Sequence, residues 1–284
     1  MAGTDATLLS RLAERRSLVV AGVFDALSAV LAQRAGFEGV FLSGSALAQT
    51  QLGRPDVGLF SLTELVDVVG RVSARVDVPV LVDADFGFGN AINVYRTVQS
   101  LERAGASGIQ LEDRLESAPP ADMARRPVVG TAIMVDKIRA AADARDSTGT
   151  VISARTDALF SSGLDETLDR AERYIDAGAD MIFVEGCIKD SDRRAVIDRL
   201  SGLRPVLFNA GILDSAQLPD YEDLAQLGYA MILFPGTAIA AAAAGMHNAL
   251  AELQAWVGGG DRFSPPKFDL GASIDAGAFL DKFS

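Results

Sequence analysis

The chain has 284 residues, 49% of them hydrophobic, and a net charge of −12. That length suits one α/β barrel domain, and the acidic balance argues against nucleic acid or an anionic membrane as partner. The lone cysteine, Cys187, rules out an internal disulfide and fits a cytoplasmic setting; residues 1–16 lack a signal-peptide core, and 237–245 is too short to span a bilayer.

Eight short apolar runs recur along the chain, at 18–22, 40–44, 78–85, 108–113, 150–156, 181–186, 205–210 and 231–236. They are rich in Val, Ile, Leu and Phe without polar alternation, as expected of parallel strands buried on both faces. Between them, 62–74, 94–104, 165–177 and 214–227 carry apolar residues at helical spacing. Gly36, Gly105, Gly178 and Gly228 each stand just before a strand, where a glycine closes the preceding helix. Eight such β–α units predict a (β/α)8 TIM-type barrel over 1–257. Gly87-Phe88-Gly89 lacks the third glycine of a dinucleotide-binding turn. Two segments fall outside the repeat. The Pro- and Arg-bearing stretch 116–130 follows the fourth strand and is expected to be a lid, with Arg125 and Arg126 in it. The tail 258–284 starts Gly-Gly-Gly-Asp and ends in a short amphipathic piece, a C-terminal extension expected to pack on a neighbouring subunit.

In a barrel of this type, function gathers at the C-terminal ends of the strands. Those ends hold Asp25, Ser43-Gly44-Ser45, Asp83 and Asp85, Glu112 and Asp113, Arg155, Glu185 and Asn209, with Asp56 in the loop after the second strand. So many carboxylates cannot all ionise together without a counter-charge, and a hard divalent cation such as Mg²⁺ supplies it; Mn²⁺ is not distinguished. Arg155 and the small hydrogen-bonding groups suit an anionic ligand. Each residue also has a plainer reading. Asp83 and Asp85 could cap the following helix, and Asp25 its own. Of Glu112 and Asp113, one could face the metal and the other pair with Arg114 or a barrel lysine. Arg155 could be a structural ion-pair partner, and Glu185 its counter-ion. Ser43 and Ser45 could pack, although Gly44 lets backbone amides approach a ligand. His247 on the last helix is expected at the surface, and Cys187 is expected to be structural.

Several phrases in this order resemble the isocitrate lyase and phosphoenolpyruvate mutase superfamily. They are Phe24-Asp25-Ala26-Leu27-Ser28-Ala29, Ser43-Gly44, Gly53-Arg54-Pro55-Asp56, Asp83-Ala84-Asp85-Phe86-Gly87-Phe88-Gly89-Asn90, Leu111-Glu112-Asp113, Ala154-Arg155-Thr156-Asp157-Ala158 and Ala177-Gly178-Ala179-Asp180. The resemblance implies a Mg²⁺-dependent enzyme of 2-oxo or 2-hydroxy acids that works through an enolate-like species. It implies Asp85 as direct metal ligand, with Asp83, Glu112 and Asp56 acting near the metal through water. Phe41, Ser43, Gly44, Ser45, Asp83, Arg155 and Asn209 would bind substrate, and Arg155, Glu185 and Asp56 would be the catalytic groups. It also implies a homotetramer with an exchanged C-terminal helix.

The chain departs from that pattern in two places. The lyase branch carries a Lys-Arg-Cys-Gly-His lid and the mutase branch a Lys-Thr-Asn-Ser lid; here residues 116–126 hold neither. The segment that many lyases use on the far end of the substrate is reduced to Asn209-Ala210-Gly211, which suits an uncharged substituent. The expected activity is carbon–carbon cleavage of a 2-oxo or 2-hydroxy (di)carboxylic acid, decarboxylation or hydrolysis of oxaloacetate-like acids included. The alternatives are a mutase or hydrolase of phosphonopyruvate-like acids and a non-catalytic barrel that keeps the metal site.

Overall fold

The computed structural model describes residues 7–13, 16–115 and 125–283. Eight strands alternate with helices: β1 (Leu18–Val23), β2 (Val40–Leu42), β3 (Val80–Asp83), β4 (Gly108–Glu112), β5 (Val151–Thr156), β6 (Met181–Val184), β7 (Val206–Asn209) and β8 (Met231–Phe234). Each pairs in parallel with the next, and β8 pairs back onto β1, so the sheet closes. The expected (β/α)8 barrel is the fold observed.

Side chains alternate along each strand, so two apolar layers form. Leu18, Val20, Phe41, Leu81, Val151, Met181, Phe183, Leu207, Met231 and Leu233 fill the barrel. Their neighbours, such as Leu42, Val82, Ile109, Ile152, Ile182, Phe208 and Ile232, pack under the helices. A short helix that the sequence pattern did not indicate, α1 (Leu8–Leu12), adds Leu8 and Leu12 to the inner layer. It closes the N-terminal end of the barrel. Gly108 makes room for it, since a Cβ there would stand 2.7 Å from Leu8 Cδ2.

The outer helices are α2 (Ala26–Arg34), α3 (Gly44–Leu47), α4 (Leu62–Ser73), α5 (Ala91–Arg103), α6 (Thr131–Ala144), α7 (Leu164–Asp176), α8 (Asp190–Leu200), α9 (Tyr221–Leu227) and α10 (Thr237–Val257). Reciprocal caps start three of them: Asp25 with Ser28, Ser61 with Glu64, and Asn90 with Asn93. Each such cap stabilises its helix by about 1 kcal/mol. The predicted helix 214–227 is shorter than expected. Pro219 disfavours helical backbone at the residue before it, so α9 begins only at Tyr221. At the other helix ends, Gly105 and Gly178 lie at φ 103° and 112°, backbone that glycine adopts at no steric cost.

The C-terminal part is built differently. None of the 21 residues of α10 is buried, and Met246, Leu250, Leu253, Trp256 and Val257 lie exposed along it. The tail forms α11 (Leu270–Ser273) and α12 (Ala276–Leu280). Within the chain, Arg34 at the end of α2 donates to the Ala272 carbonyl at 2.6 Å and pairs with Asp275, and Arg75 reaches the Ile274 carbonyl at 3.3 Å. Among the described residues no helix is long and apolar enough to cross a membrane.

Candidate active site at the C-terminal mouth of the barrel

The inward positions change character at the last turn of each strand. Two residues beyond the inner-core Leu81 comes Asp83; beyond Phe183 comes Glu185, and beyond Leu207 comes Asn209. On β4 the same face carries Gln110 and Glu112, and on β5 Ser153 and Arg155. The apolar barrel therefore ends in a polar floor at its mouth, as a period of two requires.

The segment after β3 is a tight turn. Asp85 has φ 46° and Phe88 φ 60°, left-handed values uncommon for residues with a Cβ. Several contacts hold the turn in place: Gly87 N–H donates to the Ala84 carbonyl at 2.8 Å, Thr97 Oγ1 to the Gly87 carbonyl at 3.1 Å, and Lys137 Nζ to the Phe86 carbonyl at 2.8 Å. Asp83 and Asp85 end up 8% and 6% exposed. Neither caps the next helix, because Asn90 does. The N–H of Gly44 donates to Asp83 Oδ2 at 3.3 Å, and a Cβ on Gly44 would stand 3.2 Å from Asp85 Oδ1. The end of β2 thus lies against both carboxylates.

Burial, and then the charges of Asp83, Glu112 and Asp56, push the Asp85 carboxyl well above the usual range. Burial also raises Asp83 against the pull of Arg155, and Asp56 adds to the rise. Glu112 is pushed up to about 7, by burial against the opposing pull of Arg155 and with Asp157 adding to it. Its Oε2 lies 3.1 Å from Arg155 Nη1 and its Oε1 2.8 Å from Arg114 Nε, although Oε1 makes no hydrogen bond of good geometry.

Arg155 is gripped by Asp157, Nε to Oδ1 at 2.7 Å and Nη2 to Oδ2 at 3.1 Å. Burial alone would lower its pKa, but Asp157, Glu112 and Glu185 hold it well above the ordinary value. Arg126 reaches Asp157 at 3.1 Å and Glu185 at 3.5 Å, with its guanidinium 4.7 Å from the Phe160 ring centre. Asn209 Nδ2 donates to Glu185 Oε2 at 3.1 Å, and its Oδ1 accepts from Gly211 N–H at 2.9 Å. Glu185 is therefore the partner of Arg126 and Asn209.

The other sequence candidates divide as follows. Phe41 belongs to the barrel's inner layer. Ser43 caps α3, and Ser45 accepts from Gln49 at 3.2 Å. Asp25 is an N-cap. Asp113 points to the helix side of β4, where Thr156 and Tyr174 donate to it at 2.8 Å and Arg170 stands at 3.3 Å. Arg114 pairs with Glu112 itself, so the division of labour between the adjacent acids differs from the one considered: Asp113 braces β5 through the N–H of Asp157, at 2.9 Å. Arg125 and His247 are exposed. Cys187 is 2% exposed, and burial pushes its thiol up to about 12. Most of the expected lid, 116–124, lies outside the described residues; its stem pairs Leu115 N–H with the Pro127 carbonyl and Val129 N–H with the Asp113 carbonyl.

Asp157, Gln110 and Lys137 were not among the candidates, and Arg114 was considered only as an ion-pair partner of Glu112 or Asp113. Asp157 was readable, since a carboxylate two residues beyond Arg155 shares its face of the strand. Lys137 was not, because its contact with Phe86 spans 51 residues.

Six carboxylates, Asp56, Asp83, Asp85, Glu112, Asp157 and Glu185, here face three guanidiniums, Arg114, Arg126 and Arg155. Among the described residues no three Asp, Glu, His or Cys side chains form a ready-made cluster for an ion. The donor set fits a hard cation that takes one or two carboxylates directly and reaches the rest through water. A divalent charge there would also oppose the neighbouring carboxylates that add to burial in raising Asp85.

A family model described as PEP_mutase, phosphoenolpyruvate phosphomutase, matches residues 9–254. The chain is 40% identical over 231 residues to a 2-methylisocitrate lyase of Salmonella typhimurium, across 81% of this chain and 78% of that one. It is 36% identical over 238 residues to a 2,3-dimethylmalate lyase of Eubacterium barkeri, across 83% and 81%. A crystal structure of phosphonopyruvate hydrolase in complex with oxalate and Mg²⁺ aligns with a TM-score of 0.86 at 26% identity, over 99% of this chain and 98% of that one.

Proposed function

The chain belongs to the phosphoenolpyruvate phosphomutase family, within the PEP mutase/isocitrate lyase superfamily, and from that premise we propose that it is a Mg²⁺-dependent lyase. It breaks a carbon–carbon bond of a 2-oxo or 2-hydroxy (di)carboxylic acid. The observation that carries this reading is the buried trio Asp83, Asp85 and Glu112 beside Arg155 at the mouth of the barrel. The two lyases at 36–40% identity support carbon–carbon cleavage over phosphorus chemistry.

Asp85, with Asp83, Glu112 and Asp56 acting largely through water, would hold the ion. Mg²⁺ at that place supplies Lewis-acid charge opposite a developing oxyanion. The chain's own groups do the rest. Arg155, oriented and kept charged by Asp157, faces the substrate's carboxylate with fixed donors that need no reorganisation as charge develops. Gly44 leaves room for the ligand beside Asp83 and Asp85, while Ser43 and Ser45 border it. Glu185, held by Asn209 and Arg126, and Asp56 are the carboxylates available to move a proton. The apolar layer under Asp83 and Arg155 keeps water from entering from below. The protein is further proposed to be a cytoplasmic homotetramer; of this, the unburied α10 supports assembly between copies.

The test is proton and phosphorus NMR on the purified protein with and without Mg²⁺, over oxaloacetate, 2-methylisocitrate, 2,3-dimethylmalate and phosphonopyruvate. Mg²⁺-dependent cleavage of one of the three carbon acids, to pyruvate or another carbon–carbon cleavage product, is expected; turnover of phosphonopyruvate alone, to phosphoenolpyruvate or to pyruvate and phosphate, would move the chain to the mutase or hydrolase class. Asp85→Ala should weaken Mg²⁺-dependent ligand binding by at least about 100-fold, beyond what loss of an outer-sphere partner costs. Unchanged affinity in a folded variant would remove Asp85 from the metal site.

A further inference from the structure

On the helix side of the barrel lies a second buried arginine, Arg170 of α7, 7% exposed. Resting on the lyase reading above, we propose that Arg170 is a positioning residue. It ties the segment 126–129 to the end of β4, and so sets Arg126 and Arg155 around Asp157, where the two guanidiniums together receive an anionic substrate.

The connections run through Asp113 and Val129. Arg170 Nη1 donates to the Val129 carbonyl at 2.8 Å and stands 3.3 Å from Asp113 Oδ2. The Val129 N–H donates to the Asp113 carbonyl at 2.8 Å, so Val129 is held at both of its backbone polar groups. Asp113 is fully buried. Its Oδ1 accepts from Asp157 N–H at 2.9 Å, and its Oδ2 from the hydroxyls of Thr156 and Tyr174, each at 2.8 Å. Its own N–H donates to the Arg155 carbonyl at 3.2 Å. A carboxylate has about four acceptor sites, and Asp113 uses them on β5 and on α7. Asp157 is where both routes meet. It grips Arg155 through two bonds, and Arg126 reaches its Oδ2 at 3.1 Å.

Stability alone does not account for this arrangement. The cost of desolvating two charges offsets most of their attraction, and apolar residues of the same volume often serve a fold as well. A guanidinium supplies direction, because its donors form a rigid fork. The segment it holds needs that direction. Arg126 has φ 46°, left-handed backbone that persists only where the surroundings fix it. Just beyond it the Pro127 carbonyl accepts from Leu115 N–H at 2.7 Å, and then comes the doubly held Val129. On α7, Tyr174 stands one turn after Arg170 on the same face, so one helix supplies two of the donors on Asp113.

The experiment titrates Mg²⁺ alone, and then oxalate in saturating Mg²⁺, into wild type, Arg170→Met, Arg170→Lys, Asp157→Asn and the double variant Arg170→Met, Asp157→Asn. Calorimetry gives the affinities. Oxalate is a dianion that serves as a probe of the anion site independent of turnover. Arg170→Met should weaken oxalate binding by about 10–100-fold, the scale of a clamp misplaced by about an ångström, and leave Mg²⁺ affinity as it was. Arg170→Lys should recover part of the loss. In the double variant the combined loss should fall short of the product of the single losses by at least about threefold, because both changes act on the same two guanidiniums. Should Arg170→Met not fold, Tyr174→Phe reads the same route by removing only a hydroxyl from Asp113, and a loss of oxalate affinity of at least about threefold with Mg²⁺ affinity unchanged is expected. Unchanged oxalate affinity in a folded variant, equal losses of Mg²⁺ and oxalate affinity, or independent losses in the double variant overturn the assignment. So does a wild type that binds no oxalate in Mg²⁺. The expected oxalate pattern with no cleavage of any carbon acid by the wild type overturns the lyase reading and leaves the Arg170 assignment standing.

Discussion

A thiol is the residue whose absence from the lid most invites a substitute, and Cys187 is the only cysteine in the chain. Its surroundings make it unsuited to the task. It is 2% exposed, and burial, with the charges of Asp192 and Glu185 adding and Arg193 opposing, pushes the thiol up to about 12. The sign follows directly: a raised thiol pKa keeps the sulfur protonated at neutral pH, so the nucleophilic thiolate is absent there. Cys187→Ala is expected to lower stability by about 1 kcal/mol through lost packing and to leave kcat close to wild type. Alkylation of the folded wild type by iodoacetamide should be far slower than that of an ordinary thiol at about pH 8.5 and should still rise roughly tenfold per pH unit there, where an ordinary thiol begins to level off. A loss of several orders of magnitude in kcat would place Cys187 in the chemistry. Asp157 makes the complementary point. It is fully buried and held below its usual range, its burial more than offset by Arg155 and Arg126, so it fixes the direction of the Arg155 guanidinium.

The turn after β3 shows what one element asks of a distant one. Asp85 and Phe88 sit in left-handed backbone, which costs of order 1–3 kcal/mol per residue unless the surroundings hold it. The buried Lys137 of α6 supplies part of that hold, donating to Phe86 at 2.8 Å with its ammonium 5.9 Å from the Phe86 ring centre. Lys137→Met keeps the volume and removes the donor. The expected result is a 10–100-fold rise in the Mg²⁺ concentration needed for half-maximal activity, about what loss of an outer-sphere partner costs. Lys137→Arg should recover part of it. Unchanged Mg²⁺ dependence with a lower melting temperature would mean that Lys137 only packs. This element also marks the limit of what the sequence discloses. Asp83, Asp85, Glu112, Arg155, Glu185 and Asn209 were legible because a parallel barrel puts every strand end at one mouth, so position in the repeat stands in for position in space. The turn's left-handed residues, its lysine brace and the orientation of Asp113 toward Arg170 depend on pairs dozens of residues apart. The plug α1 escaped notice for a related reason: five residues carry too short a period to read, and only the open end of the barrel gives Leu8 and Leu12 a place.

At the scale of the whole molecule, the barrel is closed and packed while α10 is not. A helix of 21 residues without one buried side chain is unusual, because most helical stability comes from burying an apolar face. Met246, Leu250, Trp256 and Val257 are each half or more exposed, and Phe268, Leu270 and Leu280 of the tail are exposed as well. Fully burying a side chain of this kind contributes about 1.5–3 kcal/mol, so a partner surface that covers them has a substantial driving force. The acidic chain would otherwise keep copies apart. α10 begins just after β8, at the end of the barrel that carries the carboxylate site, so a partner held on α10 bears on that end. The expected outcome in light scattering after gel filtration is a mass of four chains of 29.8 kDa. The double variant Leu250→Asp, Trp256→Ser should shift the population to smaller species and lower turnover in parallel, while circular dichroism retains the barrel signal. A wild-type chain that runs as a monomer at micromolar concentration with full activity would overturn both the tetramer and the coupling, and would leave the bare face of α10 to a different partner.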